Sequence, residues 1–174
     1  MTILHELVKK VHTANMRWWT DSEGKLINRN RGELLMLVIT EFSEACEGIR
    51  KNLMDDKLTH RKMEEVEMAD AFIRLLDFAG GFGLDVFEVE YQEMFFDNIP
   101  TNKAEALLML CGLVMRCSEG YAAKEVSILL SAIREYCRLH GLDLMGAMHE
   151  KLAFNATRED HTHEARAKEG GKKF

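Results

Sequence analysis

The chain has 174 residues, 47% hydrophobic and 30% charged, which suits one domain with a real core. Its formal net charge of −6, with RAKEGGKKF as the one cationic stretch, argues against a bulk nucleic-acid binder. No window approaches the roughly 18 apolar residues of a membrane span, and the charged MTILHELVKKVH lacks a signal-peptide layout.

In chain order, TILHELVKKVHTANMRWW carries Ile3, Leu4, Leu7, Val8 and Val11 at the spacing of an amphipathic helix. The polar TDSEGKLINRNRG reads as a loop. A long helix is expected from about Glu33 to Leu53, broken by MDDKLTHR, with Thr59 as the candidate cap of the next. That next helix runs from about Arg61 to Ala79 and ends in the glycines of GGFG. LDVFEVEYQEMFFDN reads as a further short helix closed by Pro100. Two more follow, about Lys103 to Ser118 and Ala122 to Leu139, and LDLMGAMHEKLAFNATRED is the last. HTHEARAKEGGKKF reads as a polar tail. Cys46, Cys111, Cys117 and Cys137 lie in apolar helical patterns without a CxxC pair, which fits free thiols in a reducing, cytoplasmic setting. The fold class expected is all-α, one domain over 1–174 without a strand.

A repeat runs through these helices. ELLMLVITEFSEACEG (33–48) aligns without gaps on EALLMLCGLVMRCSEG (105–120), and EVEMADAFIR (65–74) on EVSILLSAIR (125–134). FGLDVFEVEYQEMFFDN (82–98) aligns on HGLDLMGAMHEKLAFNA (140–156). Three matches in one order suggest a tandem-duplicated helical unit: an acid-bearing half (1–100), a degenerate second half (101–160) and a tail (161–174). The copies differ in their chemistry. Glu41, Glu44, Glu67 and Asp70 face Leu113, Arg116, Ser127 and Leu130, while Lys151, Asn155 and Arg158 face Glu93, Asp97 and Pro100. That asymmetry suggests one composite site, with anions from the first half and substrate contacts from the second.

Glu41 and Glu44 lie one turn apart beside an apolar arc, and Glu67, Asp70, Arg74 and Asp77 form a stripe on the next long helix. Two facing helices would bring four carboxylates together. Such a cluster repels itself without a cation, and hard oxygen ligands lacking His or Cys suit Mg²⁺, with Mn²⁺ possible. The alternative is two solvated acidic faces. Arg74 and Asp77 read as a structural pair beside the site.

EFSEACEG followed by EEVEMADAFIRLLDFAG resembles the MazG-type nucleotide pyrophosphohydrolases of the all-α NTP pyrophosphatase superfamily. Their Glu-x-x-Glu and Glu-x-x-Asp signature reads here as Glu41-x-x-Glu44 and Glu67-x-x-Asp70. NRGELLMLVITEFSEA, MADAFIRLLD and the late EKLAFNATRED with GGKKF are similar to the family in texture. The likeness covers about 15–86 and 140–174, with about 88–139 as an added helical block. It implies a MazG-like bundle that hydrolyses a nucleoside triphosphate to the monophosphate and pyrophosphate. Compact members form their sites in dimers, so a fused second copy leaves monomer and homodimer both open.

On this resemblance Glu41, Glu44, Glu67 and Asp70 would bind Mg²⁺ against the triphosphate, with Glu41 and Glu44 as the catalytic pair and Glu44 a candidate to orient the water. Lys151 would meet phosphate, Asn155 sugar or base, and Arg158 phosphate. Trp18 or Trp19 would stack on the base, a core position being the alternative for either. His161 and His163 head a tail that either stays solvated or orders over phosphates. The alternatives for the whole chain are a dUTP- or dCTP-selective hydrolase of the same superfamily and a non-catalytic helical interaction protein.

Overall fold

A computed structural model describes residues 3–89, 99–118 and 122–158. They form six α-helices and, among the described residues, no strand: α1 (Ile3–Asn15), α2 (Arg31–Lys51), α3 (Met63–Gly81), α4 (Lys103–Arg116), α5 (Ala122–Leu139) and α6 (Leu144–Ala156). A 3-10 turn, Met16–Trp18, follows α1. None of the helices is long and apolar enough to cross a membrane.

The helices start where the local chemistry satisfies their first N–H groups. Asn30 Oδ1 accepts from Glu33 N, Asn102 Oδ1 from Ala104 N and Glu105 N, and Asp143 Oδ1 from Gly146 N. α2 ends at Asn52, whose left-handed backbone lets its N–H reach back to Gly48 O and Ile49 O. α3 has no side-chain cap. The expected Thr59 cap is replaced by a turn built on buried Asp55, whose Oδ1 accepts from Lys57 N and Leu58 N.

α3 is the central helix, in contact with α1, α2, α5 and α6. Its buried set goes most of the way around the cylinder, from Val66, Met68 and Ala69 to Phe72, Leu75, Leu76, Phe78 and Ala79. α2 runs antiparallel to it at close range: a Cβ on Gly48 would lie 2.9 Å from Met63 Cβ. α4 and α5 form a second hairpin, packed α4 on α2 and α5 on α3. These hairpins are the first two segments that the repeat aligns.

The third segment differs from expectation. Residues 84–89 are not helical; 90–98, with Glu93 and Asp97, lie outside the described residues, as does the tail with His161 and His163. Leu84 and Val86 turn inward while Asp85 and Phe87 face out, a two-residue alternation that suits extended chain. Phe87 N donates to Ser127 Oγ at 3.0 Å, which ties this segment to α5.

α6 is tied to the start of α3 by Arg61. Its guanidinium bonds Glu65, Glu150 and Asp143 at 2.6–3.2 Å. This clamp sets α6, and therefore Lys151, against the middle of α3.

Candidate functional site

α2 and α3 bring three of the four acids Glu41, Glu44, Glu67 and Asp70 together. Glu41, Glu67 and Asp70 each offer one oxygen, all within 4.8 Å of one another. Glu41 and Glu67 are buried, at 5% and 6% exposure, because they border the apolar stripes of Val38, Phe42 and Ala45 and of Val66 and Met68. Glu44 is exposed one turn along α2 and is not among the three converging acids.

Two cations meet this group. Arg74, one turn beyond Asp70 on α3, puts Nε 2.5 Å from Glu41 Oε1. From α6, buried Lys151 puts Nζ 2.8 Å from Asp70 Oδ2. The expected Arg74–Asp77 pair is not what forms. Asp77 Oδ1 instead accepts from Trp19 Nε1 at 3.1 Å and lies 2.8 Å from His12 Nδ1, since a further turn of α3 carries it beneath α1.

Burial pushes the Glu67 carboxyl up to about 9, helped by its hydrogen bond to Glu41 and by the charges on Asp70 and Glu41. Burial also raises Asp70, to about 6, with Lys151 opposing and Glu41 reinforcing. Burial acts to lower Lys151, but Asp70 and Glu67 outweigh it and its pKa is raised. Burial thus favours the neutral form of Glu67 at neutral pH, and Arg74 and Lys151 are the cations that face the group.

That arrangement fits a divalent cation. The donors are hard oxygens with no His or Cys among them, the set that suits Mg²⁺ or Mn²⁺. A carboxylate has two oxygens and about four lone-pair sites, so one bond from Arg74 or Lys151 does not use up its capacity.

The other expected contacts sort by place. Trp19 is core: it is buried, sits edge-on to His12 and Phe82, and presses on Gly81. Trp18 is half-buried, with the Arg17 guanidinium 5.3 Å over its ring. Asn155 lies one turn beyond Lys151, and its carbonyl accepts from Arg17 Nη2 at 3.4 Å. Arg158 lies past α6, its guanidinium 5.9 Å from the Phe154 ring. Lys151 meets Asp70 directly.

Sequence reading passed over Arg17 and Asp55. Asp55 helps hold the charge on Lys151 from the α2–α3 loop, and only its place in a turn-forming MDDK hinted at it. Not every buried acid belongs here. Glu64, two residues into α3, accepts from Lys103 Nζ at 2.6 Å and Tyr136 OH at 2.8 Å, which ties α3 to α4 and α5. Compared with protein-family models, curated proteins and solved structures, the chain matches none.

Proposed function

We propose that this protein is a Mg²⁺-dependent nucleoside triphosphate pyrophosphohydrolase of MazG-like type, built from a duplicated helical unit and acting in the nucleotide pool. The observation that carries the reading is the convergence of Glu41, Glu67 and Asp70 with a buried lysine from the far end of the chain. The paired α2–α3 and α4–α5 hairpins support the duplication.

Glu41, Glu67 and Asp70 hold the cation. Bound Mg²⁺ supplies charge neutralisation across the triphosphate. Glu44 orients a water for attack at the α-phosphorus and takes its proton as the bond to the β-phosphate oxygen breaks and pyrophosphate leaves. Lys151 donates to a phosphate oxygen from beside Asp70, Arg158 to another, and Asn155 and Trp18 contact the nucleoside. The ligand is a small nucleotide rather than a nucleic acid, and the setting is cytoplasmic, with the chain a monomer or homodimer. A dUTP- or dCTP-selective version of the same reaction differs only in the nucleoside contacts.

The test is pyrophosphate release from dNTPs, NTPs and dUTP with Mg²⁺ or Mn²⁺, comparing wild type with Glu44→Gln and Glu67→Gln. Release that both variants lose supports the enzyme and identifies the preferred base. A second reading, a non-catalytic interaction protein, is favoured by one observation: Arg74 and Lys151 already pair with Glu41 and Asp70 without an ion. Absence of release from every nucleotide, with no change in melting temperature on adding either ion, would select it.

A further inference from the structure

Among the described residues, four buried side-chain atoms have no hydrogen-bond partner, and two of them, Arg17 Nε and Asn155 Oδ1, belong to neighbouring residues. The other two, Glu125 Oε2 and His140 Nε2, lie on α5 and just past it. A buried donor or acceptor left unbonded is costly, and one of each on two residues already joined by the Arg17 Nη2–Asn155 carbonyl hydrogen bond has the pattern of a site that a ligand completes.

The surroundings point the same way. The 3-10 turn is anchored on its far side by Trp19 Nε1 bonded to Asp77, which leaves Trp18 half-exposed with Arg17 packed over its ring. Arg17 Nη2 reaches the Asn155 carbonyl, one of the last in α6, so the guanidinium bridges the turn and the helix end. Asn155 is one turn from Lys151, whose ammonium lies on Asp70.

We infer that Arg17 is a ligand-reading residue of this site. Its Nε–H takes an acceptor, and Asn155 Oδ1 takes a donor, from groups lying side by side on the nucleoside of a bound nucleotide. The inference rests on the nucleotide reading above. A sugar hydroxyl is both donor and acceptor, and the edge of a base carries an acceptor next to a donor, so either can be the group read.

The experiment measures KM and kcat in Mg²⁺ for wild type, Arg17→Lys and Arg17→Met, with dNTPs of each base and their 2′,3′-dideoxy counterparts, and records melting temperatures. Arg17→Lys keeps the charge but not the Nε–H. It should raise KM about tenfold with kcat within about twofold, the loss of one hydrogen bond to ligand, while the melting temperature reads the separate loss of the Nη2 bond to the Asn155 carbonyl. If the sugar is read, the wild-type preference for dNTP over dideoxy-NTP collapses in Arg17→Lys; if the base is read, the preference among bases collapses. The dideoxy series on wild type probes the same contact with no change to the protein, should Arg17→Met fail to fold. Turnover with every preference unchanged in Arg17→Lys overturns this inference alone. Absence of turnover in wild type overturns the nucleotide reading and this inference with it.

Discussion

Lys151 Nζ lies 2.8 Å from Asp70 Oδ2, and both side chains are largely withdrawn from solvent, at 8% and 17% exposure. The pair joins the last helix to the central one at the place where the acids converge. A cation expected only at the substrate is thus also part of what makes the acid group stable.

Removing the lysine should therefore cost stability as well as activity. Lys151→Met leaves Asp70 beside Glu41 and Glu67 with one cation fewer, and a loss of about 3 kcal/mol is expected in urea unfolding without divalent ions. Mg²⁺ should restore part of it, and Asp70→Asn in the same chain should restore most. A Lys151→Met protein as stable as wild type would show that the pair is not maintained in solution.

Glu67 governs the pH response. Its folded pKa of about 9 lies above the ordinary 4.5, so its contribution to stability is fully present below 4.5 and is lost as pH rises through about 9. Asp70, raised to about 6, acts with the same sign over a lower range. Without divalent ions the melting temperature should fall across this window, and Glu67→Gln, which keeps a donor for Glu41, should flatten the fall. Mg²⁺ should stabilise wild type most at the alkaline end, where no proton has to leave. A melting temperature that rises over the same range would contradict the assignment of the proton to Glu67.

Gly81 gives a steric test of the anchored 3-10 turn. A Cβ there would lie 2.1 Å from Trp19 ring carbons, and an indole cannot yield by simple rotation. Gly81→Ala should cost about 1–3 kcal/mol by thermal unfolding. It should also weaken nucleotide affinity, because displacing Trp19 moves Trp18 and Arg17, while Mg²⁺-induced stabilisation survives.

Tyr136→Phe separates stability from chemistry. It removes the hydroxyl that donates to Glu64 Oε1 at 2.8 Å and leaves that buried carboxylate with Lys103 as its remaining side-chain donor. A cost of about 1–3 kcal/mol is expected, with pyrophosphate release unchanged at a temperature where the variant is folded.

What the sequence by itself determined is local. Periodicity and breaks located α1 to α6, and one-turn spacing put Glu67 and Asp70 on one face of a helix, because helix geometry depends on near neighbours along the chain. The same reasoning failed at 84–89, where a two-residue alternation inside an apolar run was read as helix. Only the tertiary structure decided which cation meets which acid. Arg74 meets Glu41 rather than Asp77, Lys151 meets Asp70, Asp77 turns to His12 and Trp19, and Glu44 stays outside the converging group. These choices follow from the register of α2 on α3, held close by Gly48 against Met63, and from the Arg61 clamp on α6. Register comes from packing between distant segments, and a single helix's sequence does not carry it.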